Sequence, residues 1–322
     1  MSDRQLRLII AIISLALLFS AGCASRQQAV ALYVDAASLR EANENEKAVE
    51  KLNLAVKADK SFSLAHSLLG EIYEQMRDYR QAAKSYENAT RLNPWSFNDY
   101  FSLGRVYQTL KEFTNAVNAY RRAVQLRPDH LEANLNAAKC LYEIRDYNEA
   151  LIYGKNVERI NPDISELHQL LGHIYDSQKD YEQAVRSYKR ALELNSNDPA
   201  IMLSLAVAYL RTNRNEPAKE LLKTVTQIQP DNSTAWQYLG YCWLRLDDVD
   251  QAIVNYRKAI ELNKQDWEAY RGLGVAYMLI SIKDNDPELK TQAVELWRQS
   301  LSIKPDQPRK DRLLELIEKY SK

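Results

Sequence analysis

Three features of this 322-residue chain predict an all-α fold of stacked helix hairpins. A set of small, aromatic and proline positions recurs every 34 residues. Within each recurrence the apolar residues stand at i, i+3, i+4 and i+7, the spacing of one helix face. Glycine is scarce, at 8 residues, and most glycines belong to the recurrence itself, which leaves none to build a phosphate-cradling loop. Acidic and basic residues balance at 43 each, so the charge excess expected of a nucleic-acid binder is missing.

The first helix of each unit is marked by Gly70, Gly104, Gly172, Gly240 and Gly274 in one column, with Ala138 and Ala206 filling its gaps. Leucine precedes that column at Leu69, Leu103, Leu171, Leu205, Leu239 and Leu273, with Ala137 as the exception. Three residues on stands a large side chain: Tyr73, Tyr107, Leu141, Tyr175, Tyr209, Trp243 or Tyr277. A column without bulk lets a second helix approach closely. That second helix is marked by Ala82, Ala116, Ala150, Ala184, Ala218, Ala252 and, after an insertion, Ala293. Four residues further come Tyr86, Tyr120, Tyr188, Tyr256 and Trp297, with Gly154 and Leu222 as departures. Pro94, Pro128, Pro162, Pro230 and Pro305 close the unit, because proline cannot continue the helical hydrogen-bond ladder. Gly272 is the one glycine of the repeats outside these places.

The pattern resembles the tetratricopeptide repeat, W-x2-L-G-x2-Y followed by A-x3-F and P. Trp236, Leu239, Gly240, Trp243, Ala252 and Tyr256 follow it from the leading tryptophan onward. Seven copies occupy 63–96, 97–130, 131–164, 165–198, 199–232, 233–266 and 267–307. A degenerate eighth precedes them at 29–62, with Leu32, Ala36, Leu39, Ala48, Leu52 and Ala55 in register. The resemblance implies a right-handed superhelical solenoid of helix-turn-helix hairpins. Residues 308–322 carry Leu313, Leu314, Leu316, Ile317 and Tyr320 on one side and charges on the other, as expected of a capping helix. The last copy contains a seven-residue insertion, which nearly preserves the helix face. Met278 to Ile282 should prolong its first helix, Lys283 to Asp286 should form a projecting turn, and Pro287 should start its second helix.

The first 22 residues differ from the rest. Arg4 and Arg7 precede an apolar run from Leu8 to Phe19, and small residues follow at Ser20, Ala21 and Gly22, in the order of a secretory signal. Phe19 to Cys23 resembles the lipobox of bacterial lipoproteins, with Ser20 where leucine is commoner. That resemblance implies a signal peptide over 1–22, a lipid on Cys23, a short tether over 23–28, and a site in the bacterial cell envelope outside the cytoplasm. Ala24, rather than an aspartate, would send it to the periplasmic face of the outer membrane in a diderm organism. An uncleaved membrane anchor is the competing reading of the same run.

The side chains that could carry chemistry fall into structural places. Cys140 and Cys242 share an apolar column with Ile72, Val106 and Ile174, the place of a small buried hydrophobe, and three repeats separate them, beyond disulfide reach. His66 and His168 stand in the tryptophan column. His168 and His173 are five apart, which does not set both on one face for a metal. Asp284, Asp286 and Glu288 lack the glycine and distal glutamate of a calcium loop. Asp286 and Pro287 read instead as a helix cap and first helical residue. No catalytic residue, metal, cofactor, nucleic acid or small-molecule substrate is therefore expected.

In the tetratricopeptide family the first helices line a concave groove, so the resemblance implies a protein partner, as a peptide or helix, lying there. The early repeats present a polar wall with Glu71, Arg105, Lys139, Glu143 and His173. The late repeats present Leu203, Val207, Leu210, Tyr238, Tyr241, Leu244, Arg245, Arg271, Val275 and Met278, an apolar and aromatic wall with arginines. Ile201 to Leu210 is apolar nearly all round. That fits a partner site, and it also fits a helix buried by curvature. The lysine/asparagine clamp with which some members hold chaperone C-termini is not reproduced; Asn136 and Lys139 are the nearest candidates. The function implied is a non-catalytic scaffold or adaptor tethered to a bacterial membrane. The alternative is an accessory subunit presenting substrates to an envelope peptidase or glycan enzyme.

Overall fold

Each recurrence folds into two helices joined by a tight turn, in a computed structural model that describes residues 25–321. The signal-like segment and Cys23 lie outside the described residues. Among these there are 17 helices and no strand. The chain forms two compact units, divided after Pro162. The first holds α1 (25–41), α2 (Asn45–Ala58), α3 (Ser63–Gln75), α4 (Tyr79–Leu92), α5 (Phe97–Thr109), α6 (Phe113–Leu126), α7 (Leu131–Glu143) and α8 (Tyr147–Ile160). The second holds α9 (Ser165–Ser177), α10 (Tyr181–Leu194), α11 (Pro199–Arg211), α12 (Asn215–Ile228), α13 (Ser233–Arg245), α14 (Val249–Leu262), α15 (Trp267–Asp284), α16 (Pro287–Ile303) and α17 (Lys310–Tyr320).

The turns within hairpins explain the helix lengths. After α3, the backbone N–H of Asp78 donates to the Tyr73 carbonyl at 2.9 Å and that of Arg77 to the Glu74 carbonyl at 3.0 Å. This pair of bonds is a Schellman motif, and it demands a left-handed residue just past the helix. Arg77 supplies it at φ 61°, and Lys111, Arg145, Lys179, Asn213 and Asp247 do so in the later turns at 59–64°. The following aspartate then caps the next helix: Asp78, Asp146, Asp180 and Asp248 accept from the backbone N–H groups of Gln81, Glu149, Gln183 and Gln251. One short segment thus ends one helix and starts the next.

The core of each hairpin is an aromatic ring seated on a glycine. A Cβ added to Gly70 would lie 2.6 Å from the ring of Tyr86, and the same relation joins Gly104 to Tyr120, Gly172 to Tyr188, Gly240 to Tyr256 and Gly274 to Trp297. The two columns change together. Where the ring is replaced by Gly154 or Leu222, the glycine is replaced by Ala138 or Ala206. The degenerate first hairpin packs with alanine and leucine instead, and Ala29, Ala36, Ala48, Leu52 and Ala55 are fully buried in it.

The insertion lengthens both helices of its hairpin. α15 has 18 residues and α16 has 17, against 13 and 14 in regular hairpins. Pro287 starts α16 as expected. α15 runs on to Asp284, past the expected end at Ile282, so the turn shrinks to Asn285 and Asp286. Left-handed Asn285 allows this, and the Asp286 carboxylate accepts from the N–H groups of Glu288 and Leu289 at 2.8 and 3.0 Å. α17 covers the end of this hairpin with Leu313 buried and Leu316, Ile317 and Tyr320 packed on its core. Leu314, expected on that side, is instead 44% exposed, because one residue along a helix turns a side chain by about 100°.

Candidate partner-binding groove

Five of the late-wall residues converge on one pocket of about 490 Å³ in the second unit: Tyr238, Tyr241 and Leu244 from α13, and Arg271 and Val275 from α15. They meet because α13 and α15 are first helices of successive hairpins, and each turns the stripe beside its packing face to the same side. Tyr241 is 37% exposed there. Leu244 and Val275 are half-buried and also touch the core of the last hairpins. Tyr256, Gln237, Glu268, Gly272 and the chain from Pro308 into α17 complete the lining.

Leu203 and Val207 of α11 line a second, smaller pocket of about 230 Å³ with His173, Asp176, Tyr188, Ser204 and Tyr238. Tyr238 borders both pockets. His173, expected on the early polar wall, therefore belongs with the late apolar residues. Its Nδ1 lies 2.7 Å from the Tyr188 hydroxyl, and burial lowers its pKa against the pull of Asp176. Arg211 pairs with Asp176 beside it. Arg245 is exposed and donates to Asn213 Oδ1 at 2.8 Å.

Two expected wall residues are core residues instead. Leu210 is 8% exposed and packs with Met202, Leu222 and Leu239. Met278 is 5% exposed and packs with Val294 and Trp297. The all-apolar character of α11 is consumed largely by burial: Ile201, Met202, Leu205, Ala206, Ala208 and Leu210 are all buried, and only Leu203, Val207 and Tyr209 among its large apolar residues remain half-exposed. Met278 is enclosed because the extended α15 and α16 need side chains between their added turns.

Two residues of the polar wall of the first unit, Glu71 and Arg105, are held in ion pairs between hairpins. Arg40 pairs with Glu71 at 2.5 Å and Arg105 with Glu74 at 2.7 Å. Glu74 also accepts from the Tyr86 hydroxyl at 2.9 Å. Lys139 is half-buried on α7, and Glu143 at its end is exposed. Such exposed pairs hold neighbouring hairpins in register more than they add stability. Cys140 and Cys242 are buried and unpaired, and burial pushes each thiol up to about 12. Among the described residues no group of three or more metal-ligating side chains comes together.

Around the main pocket the electrostatics follow from partial burial. Arg271 lies over the Trp267 ring at 4.8 Å and donates to the Pro308 carbonyl at 3.1 Å, which fastens α15 to the start of α17. Burial lowers the pKa of Arg271, and it raises those of Glu268 and Asp266. Sequence reasoning missed Tyr256, Arg309 and Arg312 as lining residues. The signals available, for Tyr256 alone, were Gly272, a glycine with no place in the repeat, and Leu244 in the column of Glu74 and Gln108.

Comparison with known proteins agrees with this architecture. Family profiles described as "Tetratricopeptide repeat" and "TPR repeat" match residues 177–240 and 244–280, and one described as "Anaphase-promoting complex, cyclosome, subunit 3" matches 75–156. Tetratricopeptide repeat protein 37 of Xenopus laevis is 34% identical over 93 residues, and BBSome complex member BBS4 of Xenopus tropicalis is 31% identical over 83. These stretches are 27% and 26% of this chain but only 6% and 16% of those proteins. Among solved structures, YrrB, described as a TPR protein with an unusual peptide-binding site, aligns with a TM-score of 0.52 at 16% identity, over 64% of this chain and 98% of its own. PilF of Pseudomonas aeruginosa aligns at 0.52 and 23%, over 66% and 96%. The Cut9–Hcn1 complex aligns at 0.56 and 13%, over 86% and 53%. At such identities these structures speak for the fold alone. With the recurring columns, the hairpin packing and the matching profiles in agreement, the chain belongs to the tetratricopeptide-repeat family.

Proposed function

We propose that this protein is a non-catalytic scaffold that binds other proteins through the groove of its second unit, and that a lipid on Cys23 tethers it to a bacterial membrane. The observation that carries the binding reading is the convergence of Tyr238, Tyr241, Leu244, Arg271 and Val275 on one open pocket. Exposed Tyr241 with half-buried Tyr238 and Arg271 around an apolar centre has the composition of a binding hot spot. The tether reading is supported by the lipobox-like run ending at Cys23. Several acyl chains on one residue give stable anchoring where a single chain does not.

Tyr241→Glu is the cleanest test of the groove, because Tyr241 is exposed whereas Leu244 also supports the core. Proteins that co-purify with the full chain from its own envelope should be lost with this substitution, at unchanged unfolding midpoint. A hot-spot loss of about 2 kcal/mol corresponds to a roughly thirtyfold weaker complex. Unchanged co-purification would reject the groove.

A further inference from the structure

In three hairpins the buried tyrosine hydroxyl is satisfied from the first helix of its own hairpin. Tyr86 donates to Glu74 and Tyr120 to Gln108 at 2.8 Å, while Tyr188 meets His173. The next hairpin adds a second polar neighbour, Ser102 for Tyr86 and Asn136 for Tyr120. Tyr256 is the exception. The place of Glu74 and Gln108 is taken by Leu244, and the place of Ser102 and Asn136 by Gly272. Tyr256 is 1% exposed, and its hydroxyl has no hydrogen-bond partner among the described residues. That hydroxyl lies 2.7 Å from where a Cβ of Gly272 would be, and both residues line the 490 Å³ pocket. A donor has thus been left at the floor of a cavity at the position where the repeat elsewhere supplies an acceptor. The hydroxyl opens onto that cavity, so an acceptor on a bound molecule can reach it.

The rim above it is cationic. Arg271, Arg309 and Arg312 line the pocket against one carboxylate, Glu268. Arg309 lies close enough to Arg271 to act against its charge, and it has no ion pair among the described residues. Arg312 reaches only Glu315, one turn along the same helix. Between floor and rim the walls are Tyr238, Tyr241, Leu244 and Val275. A compact phosphate would sit dry among these apolar walls, whereas an apolar side chain followed by carboxylates matches floor, wall and rim together.

We propose that this pocket, completed by α17, is a docking site for an acidic peptide segment carrying one aromatic or large aliphatic anchor. The anchor enters the cavity, an oxygen of the segment accepts from Tyr256, and its carboxylates pair with Arg309 and Arg312. This rests on the reading that the groove binds protein, and it makes the capping helix a part of the site.

The test pans a phage-displayed library of random twelve-residue peptides against the full chain in detergent. The best-enriched peptide is then titrated as a labelled synthetic peptide by fluorescence anisotropy. Enriched sequences should join an aromatic or large aliphatic residue to Asp or Glu. Tyr256→Phe should weaken binding about fivefold to tenfold with an unchanged unfolding midpoint, since no partner is lost in the unbound protein. Tyr120→Phe, which gives up a partner, should lower the midpoint. Arg309→Asn with Arg312→Gln should weaken binding at least tenfold, with a reduced salt dependence. Enrichment of sequences without acidic residues, or equal binding by all of these variants, would overturn the proposal. A library that yields nothing, while Tyr241→Glu still loses the envelope partner, would overturn this inference and leave the groove standing. Nothing enriched and nothing lost would remove both.

Discussion

Replacing Gly104 with alanine tests the packing rule on which every hairpin depends. The new Cβ would lie 2.6 Å from Tyr120 Cε1, 2.7 Å from Cδ1 and 2.9 Å from Cζ. The ring cannot swing aside, because Tyr120 is fully buried and its hydroxyl is held by Gln108 at 2.8 Å. Overpacking of this kind costs about 1–3 kcal/mol, and the better helix propensity of alanine returns about 0.5–1 kcal/mol. The net loss should be about 1–2 kcal/mol, the reverse of the gain expected for the same change in an open helix. Tyr120→Leu alone should cost about 2–4 kcal/mol through the lost ring and hydrogen bond. The double variant copies the natural pair of Ala206 and Leu222, so the alanine should no longer be penalised, giving a coupling of about 1–3 kcal/mol. Urea unfolding followed by far-ultraviolet circular dichroism, at constant slope, measures all three. A stabilised Gly104→Ala, or strictly additive changes, would refute the ring-on-glycine account.

Other expectations follow from single features. Lys111 sits at φ 60°, so Lys111→Gly should gain up to about 1 kcal/mol in urea unfolding, while Lys111→Val should lose at least as much. Burial lowers the pKa of His66 and His173 below the ordinary 6.5. Their depressed folded values mean that the stability present above pH 6.5 is lost as the pH falls through that value and on through the folded ones. The unfolding midpoint should therefore decline from pH 7.5 to 5.5, and His66→Asn with His173→Gln should flatten the decline. Cys23→Ser should abolish incorporation of a clickable fatty acid and release the chain from membranes on fractionation; equal retention of both forms would reject the lipid tether.

Much of the fold was legible because each hairpin repeats the same physical demands. The glycine and tyrosine columns, the alanines of the second helices and the closing prolines are all visible as spacing. Less legible was which apolar faces stay open. Periodicity shows that α11 is apolar all round, but only packing shows that Leu210 is enclosed while Leu203 and Val207 are not. Met278 follows the same logic, since its burial depends on how far α15 and α16 extend together. The charges of the polar wall read as a free surface in sequence, whereas Glu71 and Arg105 are each claimed by a neighbouring hairpin. The unpartnered hydroxyl of Tyr256 was written in the columns, as Leu244 and Gly272 standing where other hairpins carry polar groups. That signal acquires meaning only when the hydroxyl is known to point between those two columns. Arg309 and Arg312 come from beyond the repeats, so no column could place them at the groove.

The central claim is that the groove of the second unit holds a protein partner. A photo-crosslinking residue at position 241 of the full chain, activated in living cells, tests it most directly. A discrete adduct is predicted from position 241, diminished when Arg309→Asn and Arg312→Gln are added, and absent when the crosslinker stands at exposed Ile152 of α8 in the first unit. No adduct from position 241, or the same adduct from both positions, would contradict the account.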